Sequence, residues 1–229
     1  MQLPSHAPDD VRVWLVEIDF TAPMDCAVLN EAEIARARRY LRPVDATRFA
    51  AVRAALRRVL AAEVDEDAAS LVIETDANGR PALALNHAPD FNVSHSGAFG
   101  AIALSRKRAV GIDIEEARAN LNWRELTSVV FADADTRAIE VLHENAQRNA
   151  FFDCWTAKEA VLKAHGTGIG AGAIRMDAFS VLPRDGERHA LSKEAGAYEV
   201  AVLKAPMNYA AALSWSQSAS IFAKSRCVK

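Results

Sequence analysis

Apolar positions fall in short runs divided by polar and turn-forming residues, and their spacing switches between the period of a strand and that of a helix. Val11 to Ile18 (VRVWLVEI) is a β-branched apolar run and predicts a buried strand. EAEIARARRY, residues 31–40, predicts a basic helix. A second helix is predicted from Asp45, read as its N-cap after Pro43, to about Ala62, with an apolar stripe of Phe49, Val52, Leu56 and Leu60. A strand near Leu71 to Glu74, a turn at Asn78-Gly79-Arg80-Pro81 and strand-like pieces up to Leu104 follow.

The order then repeats. Val110 to Glu115 predicts a strand, two helical stretches lie between Leu121 and Ala164, and strands are predicted at Met176 to Leu182, Tyr198 to Leu203 and Tyr209 to Trp215. The two long helices, 45–62 and 149–165, are about one hundred residues apart, as are the strands that lead each half. This predicts an α+β protein of two similar subdomains, 1–106 and 107–229, packed closely enough for a site to form between them.

Composition narrows the function classes. At 229 residues, 51% hydrophobic and 25% charged, the chain has the make-up of a globular protein rather than a disordered one. A net charge of -3 and a pI near 6.1 give no general attraction to nucleic acid or an anionic membrane, so an anionic ligand must be met by a local basic cluster. Cys26, Cys154 and Cys227 fit neither a disulfide framework nor a zinc site. No window reaches the apolar length of a membrane span, and the N-terminus lacks a secretory pattern, so a soluble cytoplasmic protein is expected.

Four constellations stand out from this background. In Gly111-Ile112-Asp113-Ile114-Glu115 the strand alternation puts both isoleucines on one face and both carboxylates on the other, as a solvated edge strand or a magnesium-type site would. In Phe151 to Lys163 (FFDCWTAKEAVLK), Thr156, Glu159 and Lys163 gather within roughly 60° on a helix that is otherwise apolar. That stripe reads as an i,i+4 surface pair, or as charges that need a ligand. Phe91 to Gly97 (FNVSHSG) offers His95 in a short polar segment, where a surface or capping role is the plainer reading. Arg53 projects from the apolar side of its helix, unlike Arg57 and Arg58, and either snorkels along the core or clamps a phosphate.

FNVSHS, then GIDIE about twenty residues later, then WTAKEAVLKAHGTGI, resemble in order and spacing three motifs of the Sfp-type phosphopantetheinyl transferases. The resemblance covers residues 91–169 closely and the N-terminal third more loosely. It implies a pseudo-twofold pair of halves holding coenzyme A and Mg²⁺ in the cleft between them, with Asp113, Glu115 and Glu159 as metal ligands. It further implies that Arg36, Arg53, Arg80, Ser94 and His95 hold the nucleotide phosphates, and that Lys158 and Lys163 face the pyrophosphate.

The activity implied is transfer of 4′-phosphopantetheine from coenzyme A to a serine of an acyl or peptidyl carrier protein, releasing adenosine 3′,5′-bisphosphate. Glu159, Lys163 and His95 are the catalytic candidates, Glu159 taking the serine proton. Asp135, four residues after Phe131, stands where many relatives carry glutamate, and a role for it beside the metal or the base stays open. A monomer is expected, since the two halves complete the site within one chain. The alternative is a magnesium-dependent phosphohydrolase, in which the same carboxylates activate water.

Overall fold

Strand β1, Val11–Glu17, occupies the first apolar run. Helix α1, Glu31–Arg38, starts on a capping box in which the Asn30 side chain accepts from Glu33 N while the Glu33 carboxylate accepts from Asn30 N. Helix α2, Pro43–Val64, begins on Pro43, whose fixed φ suits the first helical position. Asp45 is therefore not the N-cap. It sits inside the first turn, paired with Arg42 and Arg48. Strands β2 (Ile73–Thr75), β3 (Pro81–Leu83), β4 (Asp90–Ser96) and β5 (Phe99–Ser105) complete the first half.

The second half runs β6 (Val110–Glu116), α3 (Thr127–Val130), α4 (Asp133–Glu140), α5 (Glu144–His165), β7 (Tyr198–Leu203) and β8 (Tyr209–Ser216). The computed structural model describes residues 1–76, 79–166, 174–181 and 198–217, and of Asn145 only the backbone. Asn78 of the expected turn, Leu182, Cys227 and the glycines after Gly166 lie outside these residues. The strand expected from Met176 does not form over 176–181, where one 3-10 turn spans Met176–Ala178. Its physical reason is that the carbonyls of Met176 and Phe179 both accept from Lys158 Nζ instead of from a neighbouring strand.

Two antiparallel sheets of the same plan result, β1-β5-β4 and β6-β8-β7, each with its last strand in the middle. Alternation along β5 divides its side chains: Ala101 and Ala103 join Val110, Ile112, Ile114, Leu213 and Trp215 between the sheets, while Ile102 and Leu104 pack under Leu56 and Leu60 of α2. On the far side, Phe151, Ala157, Ala160 and Val161 of α5 cover Ala210 and Ala212 of β8. The order of layers is α2, first sheet, second sheet, α5. Strands β5, β6 and β8 are buried on both faces over most of their length, whereas β1 and β7 keep positions open to solvent.

Strand β4 is where the sheets meet, and its join to β6 is made by side chains. The Asp90 carboxylate accepts from Val110 N at 2.8 Å, Asn92 Oδ1 accepts from Ile112 N at 3.1 Å, and Ser96 Oγ accepts from Glu116 N at 3.1 Å. On the other face of β6, Gly111 lies against α5 so closely that an added Cβ would stand 2.0 Å from the carbonyl oxygen of Ala160 and 2.4 Å from Ala164 N. Both are backbone atoms in a helix and cannot rotate aside. Gly111→Ala is expected to lose about 3 kcal/mol or more, the upper range for overpacking, by forcing α5 off β6. Urea unfolding measures it, and an unchanged midpoint would show that α5 yields freely.

Candidate active site

The approach of α5 to β6 brings the second and third constellations together. Lys163 Nζ donates to Asp113 Oδ1 at 2.5 Å and to Ser94 Oγ at 3.1 Å, and Ser94 Oγ donates in turn to Asp113 Oδ1 at 2.7 Å. Ser96 Oγ donates to Glu115 at 2.8 Å. Strand alternation thus aims Ser94 and Ser96 at the two acids of β6, which share a face as expected. Asp113 is 2% exposed, and its second oxygen, Oδ2, is buried without a hydrogen-bond partner.

Glu159, one helical turn before Lys163, completes the group. Burial pushes its carboxyl up to about 7; Lys163 opposes the rise, and the charges of Asp113 and Glu115 add to it. Burial, and then repulsion from Asp113, also raise Glu115, against the hydrogen bond from Ser96 and the charge of Lys163. Three carboxylates therefore crowd around a single ammonium. Among the described residues no three such groups close to ligating distance as they stand. The unpartnered Asp113 oxygen and the mutual repulsion nevertheless fit a hard divalent cation, whose preferred ligands are oxygens.

His95 points the other way from Ser94, into a cleft lined by Arg36, Phe49, Val52, Arg53, Leu56, Thr75, Pro81 and Val93. The guanidinium carbons of Arg36 and Arg53 lie 4.8 and 5.7 Å from the centre of the Phe49 ring. Arg53 is held 3.6 Å from Glu33. Burial first, then the charges of Arg48, Lys163 and Arg36, lower the pKa of His95, so the neutral imidazole is favoured. An apolar floor rimmed by guanidinium groups suits a flat, anionic ligand.

Several expected residues lie elsewhere. Lys158 stands about 100° around the helix from Glu159, with its side chain fully buried against Asp135 at 2.5 Å. It does not face the carboxylate cluster. Asp135 is occupied by Lys158, by Ser180 Oγ and by Ala132 N, away from the carboxylate cluster. Thr156 is likewise buried, donating to Phe152 O at 3.0 Å, and leaves the polar stripe. Gly79 and Pro81 line the cleft, but the Arg80 guanidinium between them turns onto Asp90 and the carbonyls of Phe91, Val110 and Lys163. Arg57, read as solvent-facing, is fully buried, bonded to Glu33 and to the carbonyls of Ala68 and Leu71.

Two neighbours of the site were not singled out by sequence. Arg48 donates to Gly97 O at 2.8 Å and acts on His95; it lies four residues before Val52, so the stripe argument that picked Arg53 also reaches it. Ser96 follows from Ser94 by strand alternation.

Residues 109–214 match the family model described as the 4′-phosphopantetheinyl transferase superfamily, and residues 18–107 match the one described as 4′-phosphopantetheinyl transferase, N-terminal. HetI, a 4′-phosphopantetheinyl transferase of Nostoc sp., is 30% identical over 167 residues, 70% of each chain. A relative from Synechocystis sp. named for the same activity is 36% identical over 164 residues, 70% of this chain and 67% of its own. The solved holo-[acyl-carrier-protein] synthase of Thermotoga maritima aligns with a TM-score of 0.39 at 21% identity, over 47% of this chain and 61% of that one.

Two outcomes follow from the charges. Because the folded state raises the Glu159 carboxyl above its ordinary value, the stability this group contributes is complete below that ordinary value and is lost as pH rises through about 7. In metal-free buffer, Glu159→Gln is expected to match the wild type near pH 4 and to exceed it by about 2 kcal/mol at pH 8. Chemical denaturation at the two pH values reads the difference, and a gap independent of pH would contradict the assignment. Lys158→Met leaves Asp135 buried without its cation and is expected to cost about 3–5 kcal/mol. Thermal unfolding tests it, and Asp135→Leu in the same chain is expected to restore much of the loss.

Proposed function

As this chain belongs to the 4′-phosphopantetheinyl transferase superfamily, we propose that it moves the 4′-phosphopantetheine arm of coenzyme A onto a serine of an acyl or peptidyl carrier protein. The observation that carries the proposal is the meeting of opposite charges across one strand. His95 opens onto the arginine-rimmed cleft, and Ser94 beside it bonds Asp113 and Lys163. A diphosphate that joins a nucleotide to a transferable arm needs a cation-rich pocket for one end and a charge-compensated centre for the other.

In this reading Arg36, Arg53 and His95 hold the nucleotide phosphates, with Arg48 added at the mouth, and Phe49, Val52 and Leu56 receive the apolar face of the base. Asp113, Glu115 and Glu159 would hold Mg²⁺, which supplies neutralisation of charge on the diphosphate. Lys163 stands on the same side and donates to the diphosphate oxygens. Ser94 orients Lys163 and Asp113 through its two hydrogen bonds.

The serine oxygen of the carrier forms a bond to the β-phosphorus, the bridging P–O bond breaks, and adenosine 3′,5′-bisphosphate departs with the electron pair. Glu159 accepts the serine proton. One oxygen of its carboxylate would face the metal while the other takes the proton, directly or through water. The roles given to these side chains rest on the family and on the charges around them.

Further properties go with the proposal. A single chain suffices for the site, since β4, β6 and α5 all come from it, which supports a monomer. No helix among the described residues is long and apolar enough to cross a membrane, and Cys26 and Cys154 are free thiols, both consistent with work in the cytoplasm.

The test is incubation with coenzyme A, Mg²⁺ and a set of apo carrier proteins, with and without chelator, followed by intact mass of each carrier. A metal-dependent gain of one phosphopantetheine is the expected result, with turnover of Glu159→Gln lower by about 10²-fold or more. Release of phosphopantetheine without any gain on a carrier would instead identify a hydrolase.

A further inference from the structure

Arg80 stands in the turn expected to add a cation to the phosphates, yet its donors are directed into the protein. Nη1 donates to the carbonyl of Lys163, and Nη2 lies 2.6 Å from Asp90 Oδ2, 2.9 Å from Phe91 O and 3.0 Å from Val110 O. The residue is 9% exposed. One guanidinium therefore touches β4, β6 and α5, the three segments that carry Ser94, Asp113 and Lys163.

The contact on α5 has a specific consequence. Helix α5 ends at His165, so the carbonyl of Lys163 is among the last ones that the helix itself leaves without a partner. Arg80 supplies a donor to that carbonyl from the other half of the chain. It fixes the backbone of the very residue whose ammonium reaches Asp113. The same Asp90 oxygen that receives Arg80 accepts from Val110 N, at the start of the strand that bears Asp113 and Glu115. Both ends of the Lys163–Asp113 contact are thus referred to one planar group.

We infer that Arg80 is a positioning residue for the transfer reaction, setting the end of α5 against β6 so that Lys163 and Asp113 meet, and that it is not a ligand of the nucleotide phosphates. The inference rests on the reading of Lys163 and Asp113 as parts of the active site. A planar fork with several fixed donors is required for this task, and lysine, a compact single ammonium, cannot reproduce it.

The decisive variants are Arg80→Lys, which keeps the charge, and Asp90→Asn, which keeps the shape but breaks the tie from the other side. The first readout is hydrogen exchange of the ligand-free protein, which does not depend on activity. Faster exchange at 160–165 and 110–113 in both variants, with β1 and β5 still protected, is expected. The second is kinetics: kcat lower by about 10²-fold, the cost of an ångström-scale misplacement, with KM for coenzyme A within about threefold of wild type. A phosphate ligand would behave in the opposite way, Arg80→Lys preserving kcat and Asp90→Asn tightening coenzyme A by releasing the cation. That pattern, or unchanged exchange at both segments, overturns the inference. Should Arg80→Lys fail to fold, Asp90→Asn alone decides by the same measures. A wild type that transfers nothing to any carrier would count against the proposed function, while the exchange data would still judge Arg80.

Discussion

Everything about the site depends on how β4 meets β6. Two neighbouring strands would ordinarily pair through their backbones. Here the polar side chains of Asp90, Asn92 and Ser96 take the amide hydrogens of β6, and Ser94 and Ser96 reach its acids. The seam thus satisfies backbone donors and points hydroxyls at carboxylates with one set of alternating residues. Because the other set on β4 faces α2, His95 opens onto the cleft on that side. A strand with both faces in use can serve two chemistries from adjacent residues.

The electrostatics follow from that geometry. Asp113, Glu115 and Glu159 share too little positive charge, so the folded chain carries repulsion that Lys163 relieves only in part. Around the cleft Arg36, Arg48 and Arg53 gather near His95, whose pKa is lowered first by burial and then by the charges of Arg48, Lys163 and Arg36, while Asp45 and Glu33 pair with Arg48 and Arg53. Buried carboxylates with too little counter-charge are unfavourable in isolation. A cation brought to the acids relieves that repulsion, and an anion is attracted to the arginines. Buried apolar residues such as Ile102, Ile112, Phe151 and Leu213 oppose the cost of that repulsion.

Much of this was legible in the sequence where a short period determines the outcome. Alternation in GIDIE put Asp113 and Glu115 on one side, and the helical stripe put Glu159 with Lys163, as found. The repeated order of strands and helices matches the two sheets of equal plan. The side chains that lie away from their expected places share a cause. Lys158, Arg80 and Arg57 are long cations whose destinations are set by tertiary neighbours, namely Asp135, Asp90 and Glu33, and a helical wheel or a turn motif does not report such partners. The missing strand after Met176 is of the same kind, since its carbonyls are claimed by a lysine distant in sequence. Charge type was readable from the chain. Partnership was not.

The spacing of the β4–β6 bonds bears on how the chain assembles. Ser94 and Asp113, or Asn92 and Ile112, are separated by 19 and 20 positions, whereas the β1–β5 ladder must bring Val11 to Ser105 and Arg80 must reach Lys163 across 83. Closing a flexible loop loses entropy in proportion to the logarithm of its length, about 0.6 kcal/mol for each doubling. The seam between the halves is therefore a more local junction than the β1–β5 pairing, and only the β4–β5 hairpin beside it closes a shorter loop in the first sheet. A chain can register the acids of β6 against the serines of β4 before β1 has found β5, whereas Lys163 must still be brought across 50 positions to Asp113 and 69 to Ser94, so the helix is the late arrival at the reactive centre.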